Sequence, residues 1–197
     1  MPPTQGPDDG AKDDSATVPG TPPVPVVGVA ASAGGLGAFR ALLKHLARDN
    51  GAAYVLIQHL DPHHESILVD LLRKDSPLPV SEVEDGVTVE PDHVYVIPPN
   101  QHILLYGNNL HLAPESIDPA PSHPADVFLQ SLADDRSNQA IGVVLSGTAS
   151  DGTRGCFAIK SAGGTTFAQD EQSAEFPGMP GSAVASGCID FVMPPEQ

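Results

Sequence analysis

The strongest constraint on this chain is a β-branched apolar run that passes through small residues straight into an amphipathic helix pattern. The stretch is VPVVGVAASAGGLGAFRALLKHL, residues 24–46. The continuous apolar run VPVVGVAA predicts a strand buried on both faces, and LGAFRALLKHLA places apolar residues at i, i+3, i+4 and i+7, the period of a helix. The unit recurs as AYVLIQ followed by ESILVDLLRK. Later come the helix PADVFLQSLADD, the strand AIGVVLSG, the helix TRGCFAIKSAG, the strand GTTFAQ, the short helix GMPGSAVASG and the strand CIDFVMP. Between the two halves, PVSEVEDGVTV, HVYVIPP, HILLYG and LHLA read as short strands, with YGNNLH as a hairpin turn. Apolar strands separated by helices predict an α/β fold. We expect a doubly wound, mostly parallel sheet with helices on both faces and a small inserted β hairpin.

The segment 1–22 departs from this pattern. It holds Pro, Gly, Asp, Ser and Thr with almost nothing to bury, so it is expected to be a disordered acidic and Pro-rich tail before a single catalytic-sized domain over 23–197. A formal net charge of −16 argues against nucleic-acid binding and against anionic membranes, both of which need clustered Lys and Arg. No run approaches a membrane span, and no apolar signal core opens the chain. Cys156 and Cys188 form neither a CxxC pair nor a metal spacing, which predicts two reduced, buried thiols and a cytoplasmic protein.

In open α/β sheets, sites collect beyond the carboxyl ends of the strands. The residues there are Ser32 after VVGVAA, His59 after YVLIQ and Asp151 shortly after IGVVLSG. These are the three residue types of an acyl-transfer triad: a hydroxyl nucleophile, an imidazole to take its proton, and a carboxylate to orient the imidazole. Ala30, Ser32 and Gly34 form an A-x-S-x-G variant of a nucleophile elbow. Backbone N–H groups at Ala33, Gly34 and Gly35 are candidates to cradle an oxyanion at the start of the helix. Each residue also has a structural reading. Ser32 fits a turn or helix N-cap, His59 a hydrogen-bonded histidine at a sheet edge, and Asp151 a cap beside Gly152. Asp126 and Asp170 are the next candidates should Asp151 be a cap alone.

Two rivals share these stretches. A dinucleotide-binding G-x-G-x-x-G fails because Ala30 and Ala33 interrupt the glycine pattern. A metal site in HLDPHHES would draw on His59, Asp61, His63, His64 and Glu65. No second ligand-rich segment accompanies it, since His93, His102, His111 and His123 are scattered, so no metal is expected.

Taken together, VGVAASAGG, VLIQHLDPHHES, VEDGVTVEPDHVYVIPPN, AIGVVLSGTASDGTRG, GGTTFAQD and GMPGSAVASGCIDFVMPP resemble the catalytic domain of the CheB-type protein-glutamate methylesterases of bacterial chemosensory systems. The resemblance runs from Val26 to Pro195 and is nearer the variant fused to methyltransferase and sensor modules. It implies a doubly wound α/β sheet and cofactor-free hydrolysis of glutamate γ-methyl esters on receptor-like proteins, with release of methanol. Some members also deamidate receptor glutamines. The family's nucleophile falls on Ser32, its histidine on His59 and its aspartate on Asp151, with Thr148 at the rim of the same site. The partners it implies are a methylated chemoreceptor or receptor-like protein and a methyltransferase or other regulator. Ala33 stands where chemotaxis members carry threonine, and residues 1–22 are too few to form the receiver domain those members carry. The alternative from another class is a non-catalytic signalling module that binds a partner through the same cleft.

Overall fold

The computed structural model describes residues 23–58, 67–114 and 123–197. The expected tail over 1–22 and the segment HLDPHHES, His59 included, lie outside the described residues. The elements in order are β1 (Val26–Ala31), α1 (Gly35–Lys44), β2 (Ala53–Gln58), α2 (Ile67–Arg73), β3 (Val80–Glu82), β4 (Val87–Thr88), β5 (His93–Val96), β6 (Gln101–Tyr106), β7 (Asn109–Pro114), α3 (Pro124–Arg136), β8 (Ile141–Val144), α4 (Thr153–Ser161), β9 (Thr165–Gln169), α5 (Gly178–Ala185) and β10 (Phe191–Met193).

Seven strands form one sheet in the order β10-β9-β8-β1-β2-β5-β3. Every pairing in it is parallel, as β-branched runs buried on both faces require. β1 is central: Val26 to Ala31 pair with Ala53 to Gln58 of β2 on one side, and Val27 to Ala30 pair with Ile141 to Val144 of β8 on the other. The chain builds outward from β1 through β2, then returns to its opposite flank with β8. That reversal opens a crevice at the carboxyl ends of β1 and β8, where ligands bind in such sheets.

Strand alternation divides β1 between two cores. Val27, Val29 and Ala31 face Phe39 and Leu43 of α1 and Leu72 of α2. Val26 and Ala30 face Phe128, Leu129 and Leu132 of α3, Ile159 of α4 and Ala183 of α5. Phe39, Leu43, Phe128, Leu129 and Leu132 are fully buried. Each contributes about 1.5–3 kcal/mol by leaving water, which makes these helix stripes the main force holding the layers together.

The short strands of the middle segment divide between two sheets. β3 and β5 extend the parallel sheet, whereas β4, β7 and β6 form a separate three-stranded antiparallel sheet. The YGNNLH turn is a hairpin in which Tyr106 pairs with Asn109 around a two-residue loop at Gly107 and Asn108. This small sheet docks on α3: the Leu105 N–H donates to Ser131 Oγ at 3.0 Å, and the nearly buried Arg136 guanidinium donates to the Gly107 carbonyl at 2.6 Å. Both cysteines are buried, neither in a disulfide. No helix among the described residues is long and apolar enough to cross a membrane.

Candidate active site

Ser32 is the first residue past β1, half-buried, at the turn into α1. The turn is made by Gly34, whose φ of 71° lies in the left-handed region that glycine enters at no steric cost. A β-carbon there would also stand 2.7 Å from Ser146 Oγ. The Gly35 N–H turns back onto the Ser32 carbonyl at 2.8 Å, and Gln58 Nε2 reaches the same carbonyl at 3.4 Å. Gly35, expected as an oxyanion donor, therefore has its amide committed to the turn. Among the described residues no side chain caps this helix end and its first turn holds no acidic residue, but Glu175 Oε2 lies 3.0 Å from where a Gly34 β-carbon would stand, so a carboxylate from the loop before α5 sits beside the positive end of α1.

The segment after β8 forms the opposite wall. The Ser146 carbonyl accepts the Ser32 N–H at 3.0 Å, which ties the two strand ends together. Gly147 follows, and a β-carbon on it would lie 3.1 Å from Ser32 Cβ and 2.1 Å from Met179 Sδ. The loop before α5 is stitched to Gly147 from both directions: the Gly147 N–H donates to the Phe176 carbonyl and the Met179 N–H to the Gly147 carbonyl, each at 2.9 Å. Thr148, Ala149 and Ser150 are exposed and form the rim. Ala149 holds a φ of 64°, a strained conformation for a residue with a β-carbon, with its carbonyl accepting Ser182 Oγ at 3.1 Å.

Asp151 sits half-buried at the end of this segment. Its Oδ1 accepts the Asp126 N–H at 3.0 Å and the Gly152 N–H at 2.9 Å, and its Oδ2 accepts the Ala125 N–H at 3.1 Å. Asp151 thus caps α3 from across the crevice. His123, at the N-cap position of α3, makes no side-chain cap bond of its own. Burial pushes the Asp151 carboxyl above its ordinary value, and the amides of Asp126, Ala125 and Gly152 oppose that shift without cancelling it.

The other carboxylates considered from the sequence have structural partners. Asp126 Oδ1 accepts the Gly155 N–H at 2.8 Å and so binds α3 to α4. Asp170 accepts the Gln172 and Ser173 N–H groups in a tight turn, and the Ser173 hydroxyl holds its carboxyl below the ordinary value. His123, Asp126 and Asp151 bring their ligand-type atoms within 4.8 Å of one another. In that group both carboxylates are already directed onto helix amides, and His123 Nδ1 stands 3.8 Å from Asp151 Oδ1.

The structure brings Ser32 and Asp151 to the carboxyl ends of the adjacent central strands, with Ala33, Gly34 and Thr148 around the same crevice. β2 delivers Gln58, the residue before His59, to that edge, paired with Ala31. Three residues are not site candidates in the sequence reading: Ser146 and Gln169, which it does not single out, and His123, which it counts only among scattered histidines. Two of them stand at or just past strand ends, the position that singled out Ser32. The third is flagged by Pro124, because proline favours the first turn of a helix and makes the preceding residue the N-cap.

Comparison with known proteins adds identity to this geometry. The family described as CheB methylesterase matches residues 27–197. The protein-glutamate methylesterase/protein-glutamine glutaminase 1 of Myxococcus xanthus is 35% identical over 181 residues, covering 90% of this chain and 52% of that protein. A relative of the same name from the group 3 operon of Rhizobium meliloti is 33% identical over 190 residues, covering 96% and 53%. An uncharacterized 104.1 kDa protein of Rhodobacter capsulatus is 44% identical over 126 residues, covering 64% of this chain and 13% of its own. The chain spans about half the length of the first two relatives. The crystal structure of the Thermotoga maritima CheB methylesterase catalytic domain aligns with a TM-score of 0.80 at 31% identity, covering 87% of this chain and 93% of that one. The switch-point crevice, the elbow after β1 and these likenesses lead to one conclusion: this chain belongs to the CheB methylesterase family.

Proposed function

We propose that this chain is a cytoplasmic protein-glutamate methylesterase that hydrolyses glutamate γ-methyl esters on a methylated chemoreceptor or receptor-like protein, through Ser32, His59 and Asp151. One observation carries the proposal. A serine on a sharp strand-to-helix turn and a half-buried carboxylate stand at the carboxyl ends of two hydrogen-bonded parallel strands, at the point where the sheet reverses direction. Relatives named protein-glutamate methylesterase/protein-glutamine glutaminase supply the substrate class.

In this reading the Ser32 hydroxyl gives its proton to His59 as its oxygen adds to the ester carbonyl. Amides at the start of α1, with Ala33 and Gly34 the candidates, stabilise the resulting oxyanion. The C–O bond to methoxide then breaks, His59 returns the proton, and methanol leaves. Water next attacks the γ-glutamyl ester on Ser32 by the same steps and frees the glutamate. With an amide in place of the ester, the tetrahedral adduct expels ammonia instead of methanol and leaves the same γ-glutamyl ester on Ser32, which is the route to a glutaminase activity.

Lone-pair accounting supports the part given to Asp151. A carboxylate offers about four acceptor positions. The Asp126 and Gly152 amides occupy Oδ1 and the Ala125 amide takes one position on Oδ2. Among the described residues nothing occupies the second position on Oδ2, so a ring N–H can be accepted there in the role proposed for His59. Methanol release from a methylated receptor fragment, wild type against Ser32→Ala, tests the reading. A variant that is folded and lowered by about 10³-fold or more supports it. Equal release from both supports the non-catalytic partner-binding alternative, with methanol coming from elsewhere.

A further inference from the structure

Ser146 holds the Ser32 turn from two sides. Its carbonyl accepts the Ser32 N–H at 3.0 Å, and its Oγ donates to the Ala33 carbonyl at 2.9 Å. Its own N–H donates to Gln169 Oε1 at 2.8 Å, and its Oγ accepts the Phe176 N–H at 3.0 Å. Each hydrogen-bonding group of Ser146 is thereby used. Gln169, from the end of β9, is fixed in turn by donating Nε2 to Ser173 Oγ at 3.2 Å. Ser146 is 1% exposed and Gln169 4% exposed, so this network lies in a medium where hydrogen bonds reinforce one another and an unpaired group is costly.

The network meets the turn at one chemically significant place. The Ala33 carbonyl and the Gly34 N–H belong to a single planar peptide group. A donor on that carbonyl fixes the plane and draws electron density away from the nitrogen, which makes the N–H a stronger donor. The Ser146 hydroxyl lies close enough under this peptide that it stands 2.7 Å from where a Gly34 β-carbon would be. The backbone groups of Ser146 join β8 to the Ser32 turn and to Gln169, while its hydroxyl adds the link between the Ala33 carbonyl and the Phe176 N–H of the loop before α5.

We propose that Ser146, held by Gln169, is a positioning residue for ester hydrolysis. It sets the plane of the Ala33–Gly34 peptide so that the Gly34 N–H acts as an oxyanion donor beside Ser32. The inference rests on the esterase reading of Ser32 and extends it to residues outside the triad.

The test compares wild type with Ser146→Ala and Ser146→Thr by three measurements. These are methanol release from a methylated receptor fragment, the rate at which a fluorophosphonate modifies Ser32, and melting temperature. In the second, Ser32 Oγ gives up its proton and forms a P–O bond while the P–F bond breaks and fluoride leaves. Charge builds on the phosphoryl oxygen, so the same donor is read without the methyl ester. Ser146→Ala is expected to lower kcat about 10- to 100-fold with KM within about twofold, and to slow phosphonylation in parallel. Ser146→Thr keeps the hydroxyl and is expected to restore most of both rates. Should Ser146→Ala fail to fold, Ser146→Cys keeps the size while substituting a weak S–H donor, and the same losses are expected. Both rates within about twofold of wild type in Ser146→Ala, or equal losses in Ala and Thr, would overturn the proposal. A wild-type chain that is phosphonylated on Ser32 but releases no methanol overturns the methylesterase reading, while the phosphonylation ratio still decides Ser146. A wild-type Ser32 that resists phosphonylation overturns both.

Discussion

The Asp151 carboxylate accepts the Ala125 N–H through Oδ2 at 3.1 Å, so the aspartate proposed to orient the catalytic histidine also caps the first turn of α3. Loss of the charge and loss of the cap are therefore coupled. In Asp151→Asn, the amide oxygen can stay on the Oδ1 side and keep the Asp126 and Gly152 bonds. The NH2 then faces the Ala125 N–H, donor against donor. The expected outcome is a stability loss of about 1–3 kcal/mol together with a fall in turnover of roughly 10²–10⁴-fold. Chemical denaturation and methanol release on that variant check both. Lost stability with turnover retained would make Asp151 a cap and nothing more.

The raised Asp151 carboxyl has its own signature in pH. Its ordinary value is 3.8 and burial lifts it, so the folded chain holds this proton more tightly than the unfolded chain does. Stability contributed by such a group falls as pH rises from the unfolded value through the folded one. Asp151→Asn carries no such proton. The wild-type unfolding free energy minus that of the variant is therefore expected to decrease from about pH 4 upward and then level off. Urea melts of both proteins at a series of pH values supply the difference. A difference that grows with pH would mean that the three amides outweigh burial.

His59 is the proposed general base, whereas the histidine described beside Asp151 is His123. His123 Nδ1 lies 3.8 Å from an Oδ1 that already accepts two amides, beyond hydrogen-bond reach. His59→Ala is expected to lower kcat about 10³-fold or more, and His123→Ala less than about tenfold. Methanol release from the two variants decides between them, and the reverse order would transfer the role to His123.

The strand ends that frame the crevice were legible because each is a short apolar run followed at once by small or polar residues, as at VVGVAAS and IGVVLSG. The division of the middle strands was not. β3 and β5 join the parallel sheet through partners distant in sequence, which local periodicity does not encode. Ser146 escaped for the same reason: its bonds reach residues 113 and 23 positions away. The Gly35 amide was misassigned because a glycine at a helix start is a ready donor, and only the three-dimensional turn shows it folded back on the Ser32 carbonyl. His123 is a poor capping residue by type, and the carboxylate that caps α3 in its place is contributed by Asp151 from another loop.

Gly147 admits no side chain. With Met179 Sδ 2.1 Å and Ser32 Cβ 3.1 Å from the place a β-carbon would occupy, Gly147→Ala must move the methionine, the serine or both. The expected result is about 1–3 kcal/mol of overpacking and at least a tenfold loss of turnover. Adding Met179→Ala should recover part of the stability, because the tightest contact is with that flexible side chain. Melting curves and kcat for the single and double variants check the pair. A fully active Gly147→Ala would mean that the wall after β8 yields without moving Ser32.

Ser32 is the proposed nucleophile of a methylesterase. The most direct measurement is peptide mapping of the chain after fluorophosphonate treatment, with and without excess methylated receptor fragment, alongside methanol release. The expected result is a single adduct on Ser32, formation of that adduct slowed by the methylated fragment, and loss of methanol release in step with labelling. Undiminished methanol release from a chain fully modified at Ser32 would contradict it.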